Sequence, residues 1–285
     1  MSKIWKSLQP YLLVTPQLLV FLLFLVVPLT TLVVISFWDF NGYSMTPGFN
    51  LSNYTNIFSS QVYLFTYLNT FKFVGIVWLL TLLIGFPVAY FLAFEIKSLP
   101  WQILLFLICT IPFLTSNIIR MISWIPLLGR EGLLNKTLLS LNIIERPVEV
   151  FLFSEFAVIL AMVHIYTLFM VVPVFNSMMR IDRSLVSAAL DAGASSFQIL
   201  KEVIVPLSAP GITIGSIFVV TLVMGEFVSV RLMGGNKASS VGLIIQNQIG
   251  SLQYPVAAAN SVILLLITLA MIAVILRTVD IRKEL

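Results

Sequence analysis

The residues of this 285-residue chain that could do chemistry are the few ionisable side chains set inside long apolar runs. A charge at the centre of a membrane helix costs about 2.5–3.5 kcal/mol on insertion scales, so each is a functional candidate by default. Arg120 falls toward one end of such a run, with Ser116, Asn117 and Trp124 near it in helical register. It is either a bundle cation held by carbonyls or a partner helix, or a residue that lines a cavity or gate. Glu226 lies in a later run and could pair with Arg120 or Arg231, or face a central path. His164 beside Tyr166 suits a hydrogen-bonded packing pair. Lys72, near the end of its run, suits a side chain that snorkels to the interface. Asn117, Arg120, Trp124, Glu226 and Arg231 are therefore the candidates for a solute path or gate.

Catalysis has little to work with. One His, one Cys and no Ser/His/Asp or His-x-x-x-His arrangement make a membrane enzyme a poor reading. No Cys/His spacing suggests a metal, and Cys109 alone makes no disulfide framework. The stretch Gly234–Ser239 lacks the Gly-x4-Gly-Lys-[Ser/Thr] spacing that cradles phosphates. The chain is expected to bind no cofactor.

These residues need membrane helices to position them. The chain is 59% hydrophobic and only 10% charged, where soluble domains carry about 25% charge. Mean hydropathy is +1.05. A net charge of +4 in such a chain reports topology rather than nucleic-acid binding. Six runs approach the ~20 residues needed to cross the hydrocarbon: Tyr11–Trp38, Asn69–Phe94, Trp101–Trp124, Phe156–Phe175, Gly211–Val230 and Ala257–Leu276. The first reads as a retained anchor, because no small-residue cleavage site follows a short core. Nine Lys or Arg fall on the side of the N-terminus and five on the other, which places both termini in the cytosol. The expectation is an all-α polytopic membrane protein, one domain over residues 1–285, with six spans.

Three loops then lie outside, near Asp39–Leu68, Ile125–Glu155 and Leu232–Pro255, the first ordered but irregular and the second carrying a short helix, Leu133–Leu141. Trp38, Trp78, Trp101, Trp124 and Tyr254 mostly fall near span ends, as an interfacial belt does. Gly211 and Gly215 permit close helix packing, either within the chain or at a seam with a partner.

Inside, one long polar loop, about residues 177–210, carries a helix that is apolar nearly all round. Leu185, Ala188, Ala189 and Ala192 share one face at helical spacing, and Val186 and Leu190 another. A surface helix with two apolar sides must bury both, one on its own domain and one on something else. Asp182 or Ser184 can cap its start and Gly193 its end. Ser195 can cap a second helix, and Pro206 and Pro210 should break the chain before the fifth span.

Ser187-Ala188-Ala189, three residues, Gly193, nine residues, then Val203-x-Val205-Pro206 resembles the EAA loop of bacterial ATP-binding-cassette importer permeases. That pattern has Glu where this chain has Ser187, and Ile and Leu where it has Val203 and Val205. The runs Thr115–Arg120, Gly132–Asn135, Gly225–Val228 and Leu232–Gly235 resemble those of spermidine/putrescine-type permeases. Similar permeases often carry an acid just before the Leu-x-Gly-Gly run, where this chain has Arg231.

The resemblance implies a permease of the bacterial inner membrane, a non-catalytic subunit that moves a polyamine-like or other small organic solute. It implies that Leu185, Ser187, Ala188, Ala189, Asp191, Gly193 and Pro206 form the coupling helix and its surroundings, docked on an ATPase. ATP and Mg would sit on two ATPase subunits, beside a second permease, identical or homologous, in membrane lipid, with a soluble binding protein delivering solute. The rival is a self-sufficient secondary transporter, which would carry several intramembrane carboxylates and repeated halves; Glu226 is the one convincing acid and no repeat is evident.

Overall fold

The computed structural model describes residues 13–278. Lys3, Lys6, Tyr11, Arg282 and Lys283, which bear on the orientation of the termini, lie outside the described residues. Helices dominate: α1 (Leu13–Ile35), α2 (Ser52–Ser59), α3 (Gln61–Glu95), α4 (Leu99–Leu114), α5 (Asn117–Ile122), α6 (Ile125–Leu128), α7 (Leu133–Ser140), α8 (Glu155–Met179), α9 (Arg183–Asp191), α10 (Ser196–Met224), α11 (Val228–Met233), α12 (Val241–Gly250) and α13 (Tyr254–Thr278). A two-residue hairpin, β1 (Asp39–Phe40) with β2 (Met45–Thr46), is the described strand pairing, with Asp39 opposite Thr46.

Five helices, α1, α3, the helical stretch ending in α8, α10 and α13, are each long and apolar enough to span a membrane. A bent pair, Leu99–Leu114 and Asn117–Ser140, turned by 91°, is either a broken sixth span or a re-entrant loop. The third run is therefore not one continuous helix. Its last turn is a 3-10 turn containing Pro112. Thr115 and Ser116 then take extended backbone, and the Thr115 hydroxyl donates to the Pro112 carbonyl at 2.7 Å. Small polar residues that bond locally to the backbone compete with helix continuation.

Contacts divide the chain into two units. Among the described residues, the first comprises 13–64 and Ile244–Leu265. Here the stretch after α1, expected to be ordered but irregular, is held by side-chain bonds. Asn53 on α2 donates to the carbonyls of Ser36 and Trp38 at 3.0 and 2.9 Å. Tyr54 hydrogen-bonds the Ser36 hydroxyl at 2.6 Å, and Phe37 stacks on Phe49. The turn 251–253 joins α12 to α13, and buried Asn260 donates to Gln248, which donates to the Tyr63 hydroxyl. The helix α12 inside the third expected loop has no charged residue to mark it in the sequence.

The second unit, Phe65–Leu243 and 266–278, is built on α8 and α10. Gly211 faces the Pro173 carbonyl and Ser177, and Gly215 faces Met170. A Cβ on Gly211 would lie 2.5 Å from the Pro173 oxygen. The small-residue pair is thus an internal seam, which settles the choice left open by its spacing. Trp78 is not an interfacial belt residue, because its indole donates to the Ser216 hydroxyl in the body of α10 at 2.8 Å.

The second and fifth spans differ from their expected bounds. The second span begins at Gln61 rather than Asn69. The fifth begins at Ser196, because Pro206 and Pro210 do not break it. A wide π turn, Leu200–Ile204, precedes Pro206 and widens the ring just where a proline would meet the carbonyl of the preceding turn. Pro210 sits buried within the helix. The fifth helix ends at Met224, short of Val230.

Candidate functional site

Two sets of expected site residues lie in the second unit. The first is α9. Asp182 caps it by accepting the Ser184 N–H at 2.9 Å, and that bond holds the Asp182 carboxyl below the usual carboxylate range. At the other end Gly193 has φ +84°. Its N–H donates to Leu190 O at 2.9 Å, and Ala194 N–H to Ala189 O at 3.0 Å. This is the pair of bonds that closes a helix on a left-handed glycine. Ser195 and Gln198 make reciprocal capping bonds at the start of α10. Both ends of α9 are thus capped, the first by the Asp182 side chain and the last by backbone bonds around Gly193.

Its faces differ from the expected division. Val186 and Ala189 are half-buried and turn inward, whereas Leu185, Ala188, Leu190 and Ala192 are exposed. Ala189 therefore leaves the face assigned to Leu185 and Ala188, and Leu190 does not accompany Val186. Leu185 and Leu190 are 48% and 54% exposed, and Phe197 just beyond is 70% exposed. Ser187, at the family's Glu position, bonds back to the Arg183 carbonyl at 3.2 Å. Asp191 and Pro206 are exposed.

The second set surrounds Arg120 on α5. Arg120 is 7% exposed. Its guanidinium donates to the Asn117 side chain and lies 6.0 Å from the centre of the Phe113 ring. Its Nε is buried without a partner. Trp124 donates its indole N–H to His164 Nδ1 at 3.0 Å. With that nitrogen accepting, a neutral His164 carries its proton on Nε2. Arg120 and His164 line a cavity of about 350 Å³ with Ile84, Val88, Phe113 and Thr167.

His164 and Tyr166 do not pair with each other, since residues two apart on a helix point to different sides. Buried Tyr166 instead donates to Glu226 Oε2. Glu226 is not within the fifth span but in the turn after it. Its other oxygen accepts the Ser229 N–H at 2.7 Å, and its carbonyl accepts from Ser240 at 2.8 Å. The expected pairing of Glu226 with Arg120 or Arg231 is absent: among the described residues neither Arg120 nor Glu226 joins an ion pair. Arg231 is exposed on α11. Lys72 does not simply snorkel, because it pairs with Glu155 at 2.6 Å.

Sequence reasoning missed the polar groups of α3 that reach this cluster. Asn69 donates to Ser239 O at 2.8 Å and the Thr70 hydroxyl accepts the Val241 N–H at 3.0 Å. Their signal was two adjacent amide and hydroxyl side chains heading an apolar run. A partly unpaired cation lining a cavity with Phe113 and His164 offers a place for a polar solute.

No protein-family model matches the chain. Curated relatives do. The spermidine/putrescine transport system permease protein PotB of Haemophilus influenzae is 35% identical over 213 residues, 74% of this chain and 73% of the relative. PotB of Escherichia coli K12 is 35% identical over 222 residues, 77% of this chain and 78% of the relative.

This chain belongs to the permease family of ATP-binding-cassette importers.

The inner membrane ABC transporter permease protein YdcU of Escherichia coli K12 is 28% identical over 249 residues, 82% of the permease described here and 78% of YdcU. Among solved structures, a chain of the bacterial alginate ABC transporter in complex with an alginate pentasaccharide-bound periplasmic protein has a TM-score of 0.79 at 17% identity, covering 99% of each chain. A chain of the MetNI methionine ABC transporter has a TM-score of 0.52 at 18% identity, covering 77% of this permease and 95% of that chain. These two likenesses concern the fold. The permease is a multi-pass inner-membrane subunit without catalysis of its own, in a family that works with ATPase and binding-protein partners, and the reading as a self-sufficient transporter falls away.

Proposed function

We propose that this permease imports a small organic solute, with a polyamine as the first choice, by rocking its helix bundle when a partner ATPase moves α9. The observation that carries the reading is the doubly capped α9 with Leu185, Ala188, Leu190 and Ala192 left uncovered. Leu185, Ser187, Ala188 and Asp191 then meet a groove of the ATPase. Ala189 seats the helix on its own domain, and Gly193 and Pro206 set its end and the entry to α10. The loop, about residues 177–210, and both termini lie in the cytosol, within one permease domain over residues 1–285. Two ATPase subunits carry ATP and Mg. A second permease, identical or homologous, completes the path in the lipid bilayer, and a soluble binding protein delivers solute to the outer side. Nucleic acid has no part.

Asn117, Arg120, Trp124 and Glu226 border the path or gate, with Arg231 nearer the outer surface. The choice of a polyamine rests on the names of the PotB relatives. An ATPase-driven change needs differential binding between two bundle packings, about 5.5 kcal/mol to move a 1:99 equilibrium to 99:1.

The test is reconstitution of the permease with its ATPase, second permease and binding protein in proteoliposomes, with uptake of labelled spermidine as readout. Uptake that needs ATP and stops with a hydrolysis-dead ATPase supports the proposal. Uptake without ATP contradicts it. ATP hydrolysis stimulated by the loaded binding protein, with no spermidine uptake, contradicts the solute alone.

A further inference from the structure

The far end of α3 is built unusually. It finishes in a π turn, Phe91–Glu95, and the chain then leaves the helix, so its last carbonyls lack helical partners. Two side chains from elsewhere supply them. Buried Gln102 on α4 donates to Leu92 O at 2.7 Å and contacts Met179 Sδ at 3.1 Å. Arg183, the first residue of α9, donates to Ala93 O at 3.1 Å across 90 residues of sequence. A cation at a helix C-terminus also meets the negative end of the helix dipole. Arg183 therefore grips the end of α3 from the helix that the Proposed function places against the ATPase.

The other end of α3 grips the path cluster. Asn69 and Thr70 hold Ser239 and Val241, and Ser240 holds the carbonyl of Glu226. Asn69 and Ala93 lie on one continuous helix, about 36 Å apart at ~1.5 Å per residue. Trp78 bonds α3 to α10 between them.

We propose that Arg183 is a positioning residue that couples α9 to α3, so that displacement of α9 is carried along α3 to the segment holding Glu226. This rests on the reading of α9 as the ATPase-docking helix. Arg183 touches neither nucleotide nor solute; it makes the movement of one helix the movement of another. Two discrete arrangements of a packed element, biased from both ends, are what physical coupling requires.

The experiment uses the full transporter in proteoliposomes and reads solute moved per ATP hydrolysed, with ATPase co-purification alongside. Arg183→Ala is expected to retain the ATPase and lower the ratio roughly 5-fold or more, the lower end of ordinary coupling between sites. Arg183→Lys, which keeps a cation at the helix end, should restore most of it. Asn69→Leu should lower the ratio too, and Arg183→Ala/Asn69→Leu should fall little below the worse single variant. Independent sites so far apart would instead add. An unchanged ratio in Arg183→Ala, additive losses in the double variant, or loss of the ATPase from Arg183→Ala would each overturn the proposal. Failure of the docking reading shows separately, as recovery of the ATPase with the Ala188→Arg permease.

Discussion

Gly211→Ala tests whether the α8–α10 seam is as tight as it is drawn. The added Cβ would lie 2.5 Å from the Pro173 oxygen, 2.6 Å from Ser177 Cβ and 3.0 Å from the Pro173 carbonyl carbon. Two of these atoms are backbone, so no rotamer change relieves them. Ordinary contact begins near 3.4 Å, so the helices must part by about 0.9 Å or bend. Overpacking of this kind costs about 1–3 kcal/mol. Removing a mid-helix glycine returns up to about 1 kcal/mol, so comparison with wild type alone would understate the clash. Gly75→Ala is the control, since its Cβ meets nothing within 4 Å in the middle of α3. The difference between the two variants isolates the steric cost. At roughly 2–4 °C per kcal/mol for chains of this size, Gly211→Ala should melt about 2–12 °C below Gly75→Ala. Thermal unfolding of the detergent-purified transporter, followed by near-ultraviolet circular dichroism, measures it. Equal melting of the two variants would refute the close seam.

Three further outcomes follow from single side chains. Asp182 accepts the Ser184 N–H in the folded loop, which depresses its folded pKa. Its cap is therefore fully present above the ordinary carboxylate pKa and lost as pH falls through the lowered folded value. Protection of the Ser184 amide, relative to its intrinsic exchange rate, should fall over that acid window, and Asp182→Asn, which keeps an acceptor but does not titrate, should flatten the profile. Glu226→Gln retains an acceptor for Tyr166 but removes the charge, so transport rate or solute affinity should change with folding intact; wild-type uptake kinetics would demote Glu226 to packing. Gly193→Pro cannot hold φ +84°, so it should unravel the end of α9 and lower ATPase recovery while membrane insertion survives.

Some of this molecule was legible before its fold. The fourth and sixth spans match their apolar runs within a few residues, because nothing at their ends disguises them. The ends of α9 were legible because Asp182, Gly193 and Ser195 each act through bonds to their own neighbours. Boundaries set by distant partners were not. Pro206 and Pro210 signalled a break, and the π turn before them is invisible in composition. Thr115 and Ser116 sat inside an apolar run and broke it. The expected partners of Glu226 and His164 were wrong for the same reason: charge and proximity in sequence favoured Arg and Tyr166, whereas helix rotation delivers Tyr166 to Glu226 and Trp124 to His164. The inward turn of Ala189 was equally a matter of rotation about the axis of α9.

The claim on which the rest depends is that the uncovered face of α9 seats an ATPase, and Ala188→Arg addresses it most directly. Ala188 is exposed, so a long cation there leaves the permease fold untouched but cannot enter a close apolar contact. Co-purification in detergent should show the variant permease inserted, melting like wild type, and stripped of ATPase. Recovery of the ATPase at the wild-type level would contradict the account.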